Sequence, residues 1–228
     1  MSNGLELFGI PFQICNERQL YEESCDFLEE PVLHTIIFVA AIQCNMMADI
    51  EETIRRKEQL LWIPGDDAVK KVLPKKERHA IGDFSIQRYI MKLCEYAVDM
   101  GLDVCVLMNG ERELELIMDE IRQLYPYLAL RGLSTEHSTS TEGVINEINS
   151  IAPEILISGI RFGELRRFIE GDRHKTNARL CICVGDLLTD EMSKKKKLFH
   201  TITMSRALKK RLRKYSIKEH EQDETIQK

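Results

Sequence analysis

The chain has 228 residues, of which 43% are hydrophobic and 30% charged, and its formal net charge is −5. This composition suits a folded protein with a sizeable core and excludes an intrinsically disordered chain. The longest apolar run, at residues 36–42, is far shorter than the ~20 residues that cross a bilayer, so the sequence predicts no membrane-spanning segment.

Taken in order, the chain alternates between short apolar runs and segments with helical spacing. The apolar runs predict strands at residues 5–12, 35–42, 60–63, 102–108, 127–130, 155–157 and 179–184. Helical spacing predicts helices at about residues 16–27, 45–58, 85–99, 113–124, 142–151 and 163–169. Residues 68–83, rich in Lys and Arg, predict a short helix and a loop. This alternation predicts an α/β fold with a mainly parallel, Rossmann-like sheet and helices on both faces. Right-handed crossovers would bring the loops after the strands to one edge.

The cysteines and the N-terminal residues predict the compartment. Seven cysteines are scattered and lie mostly within apolar stretches, as reduced core thiols do in the cytoplasm. Residues 1–13 lack the basic start and the long apolar core of a secretory signal. Cys181 and Cys183 are spaced to point the same way on a strand, but no second pair has ligand spacing. We therefore expect no metal site, and nothing in the sequence indicates another cofactor.

No linker rich in Gly, Ser or Pro divides the chain, but its charge changes sharply near the C-terminal end. Between Lys194 and Lys218 there are eleven Lys and Arg and no Asp or Glu, which leaves 21 basic and 37 acidic residues elsewhere. We expect an acidic α/β domain at residues 1–192, a basic helical appendage at 193–218 and a disordered tail at 219–228.

The stretch from Leu124 to Gly171 contains two successive strand-to-helix junctions, where an alternating α/β fold places its chemistry. It opens with Tyr-Pro-Tyr-Leu, has Gly132 four residues after that leucine, and continues through a helix to APEILISG at residues 152–159. A charged helix then ends in Phe168-Ile169. This order resembles the WecG/TagA/CpsF family of bacterial glycosyltransferases, and the resemblance extends from about residue 5 to residue 214.

The resemblance implies a glycosyltransferase of cell-surface polysaccharide or teichoic acid biosynthesis. Members of the family transfer an N-acetylmannosamine-type sugar from a UDP donor to a polyprenyl-diphosphate-linked sugar. The implied partners are a UDP-sugar, a lipid-linked acceptor, and another copy of the chain or a second glycosyltransferase. The implied location is cytoplasmic, peripheral to the inner face of the cell membrane.

Asp66 is the candidate catalytic residue, in the turn Pro64-Gly65-Asp66-Asp67 after a predicted strand. In the family an Asp-Gly pair follows a proline here, and its aspartate is thought to be the base that takes the proton from the acceptor hydroxyl. The order here is Gly-Asp, so the carboxylate is displaced by one position. The alternative is that Asp66 or Asp67 caps the next helix.

Three other motifs of the family are altered in this chain. The donor-contacting helix of the family carries a Gln-Glu pair, and Leu165 and Arg166 stand in its place. A Thr-x-Asn motif that touches the donor is replaced at Ala40 and Ala41. A Gly-Gly turn reads Met108-Asn109-Gly110.

Arginines are the candidate phosphate ligands, because guanidinium groups pair well with phosphate oxygens. Arg78 lies in a segment similar to the family's Arg-containing segment before its long helix, and it is a candidate ligand for a donor or acceptor phosphate. Arg161 and Arg166 are candidates for holding a diphosphate. Their alternative is a solvated, charged helix face.

The basic appendage suits the anionic face of a bilayer, where each Lys or Arg contributes about 1 kcal/mol. Leu208 and Leu212 fall four apart among the six basic residues of 205–215. The family has an appendage here that associates with the membrane and supplies arginines to the active site. The matching arginines are Arg206, Arg211 and Arg213. Two alternatives stay open: a helix that docks on the acidic body, and a nucleic-acid patch, which the acidic body and the scarcity of aromatic residues disfavour.

The sequence therefore leaves two main hypotheses. The first is an active glycosyltransferase with Asp66 as its base. The second is a catalytically degenerate member of the family that acts as a binding or scaffolding partner, which the loss of several motifs together favours more than any one loss would. A basic-tailed nucleic-acid binder is a weaker third hypothesis.

Overall fold

The computed structural model describes residues 4–44, 50, 52–55, 59–136, 138 and 140–192. In this part of the chain an eight-stranded sheet carries helices on both faces, which confirms the predicted α/β class with a mainly parallel sheet. The basic appendage and the tail predicted to be disordered lie outside the described residues. The division of the chain at residue 192 therefore stays a prediction.

The strands form one sheet whose order is β1-β2-β4-β3-β8-β7-β5-β6. They are β1 (Gly4–Leu7), β2 (Ile10–Gln13), β3 (His34–Val39), β4 (Leu60–Pro64), β5 (Val104–Met108), β6 (Leu130–Ser134), β7 (Ile155–Ser158) and β8 (Leu180–Cys183). β1 and β2 form an antiparallel hairpin where the sequence predicts a first strand and a turn. The other pairings among the described strands are parallel.

The helices mostly connect one parallel strand to the next. They are α1 (Glu17–Glu29), α2 (Glu52–Arg55), α3 (Asp67–Val72), α4 (Lys75–Ile81), α5 (Ile86–Met100), α6 (Glu111–Leu124), α7 (Thr141–Ile151), α8 (Phe162–Arg167) and α9 (Leu187–Met192). A π-helical turn, Phe168–Asp172, extends α8. Of the helix predicted at residues 45–58, α2 is the part that the structure describes as helical.

Side-chain caps set the helix ends where the sequence predicts them. The Asn16 side chain accepts a hydrogen bond from the Gln19 backbone N–H at 3.0 Å, and the Gln19 side chain accepts one from the Asn16 N–H at 2.9 Å. This reciprocal capping box begins α1. At the start of α5 the Ser85 hydroxyl accepts a hydrogen bond from the Arg88 backbone N–H at 3.2 Å. Gly101, with φ of 65°, ends α5 in the left-handed conformation that glycine adopts without strain.

The sheet separates two layers of buried side chains, because successive residues of a strand face opposite sides. On β3, Ile36 and Phe38 face a layer that includes side chains from α1, α5 and α6. Ile37 and Val39 face a second layer, built with α3, α7 and α8. Each fully buried Ile or Phe contributes about 1.5–3 kcal/mol relative to an exposed one, so both layers stabilise the sheet.

The sixth strand lies later in the chain than the sequence predicts. The apolar run at residues 127–130 predicts a strand that Gly132 ends, whereas β6 begins at Leu130 and passes through Gly132 to Ser134. Tyr127 is 91% exposed, so this part of the prediction is wrong. The reason is that β6 is the outermost strand and pairs on one side with β5. A strand that is not buried on both faces does not need a continuous apolar run.

The last described helix, α9, is fastened to the start of α5. A carboxylate oxygen of Glu191 accepts hydrogen bonds from the Gln87 backbone N–H at 2.9 Å and from the Ser85 hydroxyl at 3.0 Å. Leu188 is fully buried. Leu187 packs over Gly65, where an added Cβ would lie 2.5 Å from a Leu187 methyl carbon. α9 therefore holds the end of the described chain at the edge where the parallel strands end.

None of the helices in the described ranges has both the length and the apolar character that spanning a bilayer requires. The seven cysteines are free, and all are buried except the half-buried Cys25. The Sγ atoms of Cys181 and Cys183 lie 3.7 Å apart, on the same side of β8 as their spacing predicts.

Candidate functional site

The loops that follow the parallel strands meet at one edge of the sheet, which we call the carboxyl edge. The chain passes from β3 outward to β4 on one side and from β5 outward to β6 on the other, and β7 and β8 fill the space between. In open α/β sheets, such a reversal of strand order creates a crevice at the carboxyl ends of the strands where ligands bind.

A pocket with a volume of about 410 Å³ opens at the carboxyl edge, between α7 and α8. Its floor is formed by Leu107 of β5 with Leu156 and Ser158 of β7. Val144 and Ile148 of α7 form an apolar wall. A concave, mainly apolar space with a few polar groups is typical of a site for a small organic molecule.

The mouth of the pocket is polar. Thr135, Ser138 and Ser140 bring hydroxyl groups from the loop after β6, and α8 brings Glu164 and Arg167. Ser138, Ser140 and Arg167 are exposed, so they mark the open side, whereas the floor residues are buried. The hydroxyl groups and the Arg167 guanidinium can donate hydrogen bonds to phosphate oxygens, whereas Glu164 on the same side can only accept them when it is ionised.

Asn109 fastens together three loops at the carboxyl edge. Its Nδ2 donates to the Gly159 carbonyl at 3.0 Å, after β7. Its Oδ1 accepts from the Thr135 hydroxyl and from the Arg161 backbone N–H, each at 3.4 Å. Because Thr135 follows β6 and Asn109 itself follows β5, one amide sets the spacing of the loops around the pocket.

Two buried oxygen atoms in the pocket have no hydrogen-bond partner among the described residues. They are the Oγ of Ser158 and the Oε2 of Glu164. The Ser158 side chain is deeply buried, since the residue is 2% exposed. A buried polar atom without a partner costs about 1–3 kcal/mol, so each such atom requires an explanation.

Asp66 lies at the carboxyl edge but away from the pocket. One carboxylate oxygen accepts from the Val69 backbone N–H at 2.7 Å and caps α3, and the other accepts from the Ala41 N–H at 3.0 Å. Asp66 thus caps the next helix, as one of the two interpretations of the sequence predicts. Since β3 and β8 lie between β4 and β7, the ends of β4 and β7 are about 14 Å apart at the usual strand spacing.

The described part of the chain offers neither a reactive thiol near Asp66 nor a metal site. Burial raises the pKa of the Cys44 thiol to about 12, and the charge of Asp66 adds to the rise. The thiol therefore stays protonated at neutral pH, and a protonated thiol is a poor nucleophile. No group of three or more His, Cys, Asp or Glu side chains within the described ranges is arranged to hold a metal ion.

Helix α8 turns Glu164 and Arg167 toward the pocket. Leu165, between them in the chain, is 2% exposed and packs in the core. Arg166 pairs with Glu170, with 2.9 Å between Nε and the nearer carboxylate oxygen. Each residue of a helix is rotated by about 100° from the last, so neighbours in the sequence face different surroundings.

The family model described as the glycosyl transferase WecG/TagA/CpsF family matches residues 5–198 of the chain. The chain belongs to this family. The match confirms the family that the sequence resembles. A search of curated proteins finds no match to the chain.

In this member of the WecG/TagA/CpsF family, the predicted site residues do not all come together. Asp66 and Arg161 both lie at the carboxyl edge, on opposite sides of β3 and β8. Arg78 is exposed in the last turn of α4, and the neighbouring Ile81 packs in the layer on the far side of the sheet from the pocket. The predicted tail ligands Arg206, Arg211 and Arg213 lie outside the described residues.

Two of the stretches where the sequence predicts altered motifs have structural roles here. Ala40 and Ala41, at the Thr-x-Asn position, are buried in the loop after β3. Ala41 contacts Asp66 through its backbone, so this loop reaches the carboxylate without a polar side chain. Asn109, at the position of the Gly-Gly turn, supplies the amide that joins the loops.

Sequence reasoning did not single out Ser158, Glu164 or Arg167. A signal exists for Ser158, because it places a hydroxyl at the end of an otherwise apolar strand. The hydroxyl-rich run at residues 134–141 is a second signal, at a strand-to-helix junction. The sequence carries no signal for Glu164 and Arg167, because only the rotation of α8 distinguishes them from the charged residues beside them.

Proposed function

We propose that the protein transfers a hexosamine-type sugar from a UDP donor to a polyprenyl-diphosphate-linked acceptor, in the synthesis of a cell-surface polysaccharide or teichoic acid. The family supplies the reaction class, a glycosyl transfer. The observation that supports binding of the sugar donor is the pocket of about 410 Å³. Its size suits a small organic ligand, and hydrogen-bond donors lie at its mouth. In this proposal the pocket holds the donor.

Asp66 is the base in this proposal. A carboxylate has about four acceptor positions, and the contacts to Val69 and Ala41 use two of them. The remaining lone pairs can take the proton from the acceptor hydroxyl as its oxygen attacks the anomeric carbon, while UDP leaves with the electrons of the broken bond. Because Asp66 lies about 14 Å from the end of β7, the donor must extend along the carboxyl edge to reach it.

The diphosphates of donor and acceptor need positive charge. Arg167 at the mouth of the pocket and Arg161 at the start of α8 are the nearest candidates for the donor diphosphate. Arg166, which pairs with Glu170, remains a candidate for a diphosphate, and Arg78, exposed on α4, remains a candidate for a donor or acceptor phosphate, as the family resemblance implies. The family resemblance assigns Arg206, Arg211 and Arg213 of the appendage to the lipid-linked acceptor, at an anionic membrane.

Changing Asp66 to Asn tests the base. Asn is a good helix cap, so one side-chain oxygen can still accept from the Val69 N–H and hold α3, but its NH2 group replaces the oxygen that accepts from the Ala41 N–H. D66N also loses the proton acceptor, so turnover should fall by about 100-fold or more. The measurement is release of UDP from UDP-N-acetylmannosamine in the presence of a lipid-diphosphate-linked sugar. D67N is the matched control, because Asp67 is the exposed neighbour of Asp66.

The two variants separate a base from a structural carboxylate. We expect D67N to keep the rate and the melting temperature of the unchanged protein. D66N should melt several degrees lower, because the Ala41 N–H loses its acceptor, and should still be folded at the temperature of the assay. An unchanged rate in D66N would remove Asp66 from the mechanism.

A second candidate function is a degenerate transferase that binds the donor without transferring the sugar, and acts as a partner of an active enzyme. The observation that favours it is that both oxygens of Asp66 hold backbone N–H groups while Leu165 is buried. Binding of UDP-N-acetylmannosamine without acceptor-dependent release of UDP would support this candidate against the first.

A further inference from the structure

The two unpartnered oxygens are both buried, and they belong to residues on the floor of the pocket and on its α8 wall. Ser158 alternates with Ile155 and Ile157 along β7, so its hydroxyl faces the same layer as Leu156 and α7. Glu164 reaches the pocket from α8 on the opposite wall. Ser158 and Glu164 therefore both line the space between α7 and α8, and each carries a buried oxygen that no described residue partners.

The neighbours of Glu164 on α8 are engaged elsewhere. Leu165 is buried in the core, and Arg166 pairs with Glu170. Glu164 is the carboxylate of α8 whose side chain lines the pocket.

We propose that Ser158 and Glu164 form the specificity-determining pair of the pocket and select a neutral ring that donates at least one hydrogen bond. A carboxylate accepts hydrogen bonds and does not donate them, whereas a serine hydroxyl does both. The ring therefore presents a donor to Glu164 and a donor or an acceptor to Ser158. This inference rests on the proposed function, in which the pocket holds a nucleotide-sugar.

Charge and shape set further limits on the ligand. The carboxylate of Glu164 repels a phosphate or an acidic sugar, so the diphosphate lies toward Arg167 and the exposed hydroxyls of Ser138 and Ser140. Val144, Ile148 and Leu156 supply an apolar surface for the face of a ring. A nucleobase with an N–H beside a carbonyl and a sugar with neighbouring hydroxyls share this chemistry.

Calorimetry with UDP and UDP-N-acetylmannosamine tests the pair in three variants of the full-length chain. S158A and E164A should each weaken binding by about tenfold or more, because the ligand loses a buried hydrogen bond. E147Q is the matched control, since Glu147 is an exposed carboxylate on the outer side of α7, and it should bind like the unchanged protein. If the loss is equal for both probes, the pair contacts the nucleoside. If UDP-N-acetylmannosamine alone is affected, the pair contacts the sugar.

Thermal unfolding of the same variants separates ligand recognition from a structural role. Removing a buried atom that has no partner should leave the melting temperature unchanged or raise it, while affinity falls. A structural residue would lower both. If the unchanged protein binds the probes and S158A and E164A bind them equally well, the inference is wrong and the proposed function stands. If the unchanged protein binds neither probe, the proposed function and the inference both fail.

Discussion

Asn109 uses both ends of its amide to join the loops after β5, β6 and β7. An arrangement of this kind fixes the width of the pocket, because Thr135 and Ile160, next to the joined groups, are among its lining residues. A side chain outside the pocket can therefore control ligand affinity by positioning the residues within it.

Changing Asn109 to Ala should weaken binding of UDP-N-acetylmannosamine and lower the free energy of unfolding by about 1–2 kcal/mol, as expected for the loss of partly buried hydrogen bonds. Asn149 gives a matched control, because its amide also joins two segments, through the Lys175 carbonyl and the Asn177 N–H, both at 2.7 Å. N149A should lose stability and keep its affinity. Equal affinities in the two variants would show that Asn109 does not position the pocket.

The site could be predicted from the sequence in part. The positions of Asp66 and Arg161 after strands place them at the carboxyl edge, because parallel strands bring their following loops together. The roles of side chains within α8 could not be predicted, since Glu164, Arg166 and Arg167 are all charged. Packing of Leu165 in the core decides which of them faces the pocket.

At the level of elements, the start of α5 is held by carboxylates from two other helices. Glu191 of α9 accepts from Ser85 and Gln87. Glu17 of α1 accepts from the Ser85 backbone N–H at 3.3 Å and pairs with Arg88 and Lys92 at 3.0 Å each. Negative charge at a helix start is favourable, so these contacts tie three helices together.

The contact made by Glu17 predicts how stability depends on pH. Partial burial acts to raise its pKa, but hydrogen bonds from Lys92, the Ser85 N–H and Arg88 together hold the pKa of Glu17 below its ordinary value of 4.5. The contribution of a group with a lowered pKa is present above the pKa of the unfolded chain and is lost as pH falls through the folded value. E17Q should therefore be less stable than the unchanged protein by about 1–2 kcal/mol at pH 7, and the difference should shrink in acid below about pH 4.5.

Urea unfolding between pH 3 and pH 7 measures this difference. The control is E22Q, which removes the exposed pair between Arg18 and Glu22 on the same helix. An exposed pair contributes about 0–1 kcal/mol, so E22Q should follow the unchanged protein closely at every pH. A deficit in E17Q that is constant with pH would mean that the ionised form of Glu17 is not what stabilises the helices.

The sequence predicts the inner strands of the sheet correctly and misplaces the outer strand β6, because the two differ in burial. β3, β4, β5, β7 and β8 lie inside the sheet with both faces covered, so an apolar run identifies each of them. β6 lies at the margin and contains the exposed Arg131 and Gly132, so the preceding apolar run drew the prediction away from it. An apolar run indicates burial, so it locates a strand whose two faces are covered and fails for a strand that is partly exposed.

At the level of the whole molecule, charge is distributed unevenly between an acidic body and the basic segment after it. Removal of residues 193–228 tests what this segment binds. The full-length chain should sediment with vesicles of mixed phosphatidylserine and phosphatidylcholine, because each Lys or Arg contributes about 1 kcal/mol near an anionic surface. It should not sediment with phosphatidylcholine alone, and added salt should release it.

The shortened chain, ending at Met192, should leave the vesicles and keep its affinity for UDP, because the pocket lies within the described body. Vesicle binding that survives the truncation would assign the membrane contact to the body. Binding of an oligonucleotide in preference to vesicles, with a steep dependence on salt, would favour the nucleic-acid alternative.

The attachment of α9 to α5 also decides where a label or an affinity tag can be placed. A tag placed after residue 192 begins at the carboxyl edge, because it follows α9, the helix after β8. β8 lies next to β7, whose residues form part of the pocket floor. A tag that starts at residue 191 or earlier, in place of the native residues, removes the Glu191 carboxylate that binds the start of α5. Such a tag should lower the stability of the protein that it labels. β1 lies at the opposite margin, five strand positions from β7, or about 24 Å. Immobilisation through β1 therefore leaves both the pocket and the exit of the basic segment accessible to ligands and vesicles.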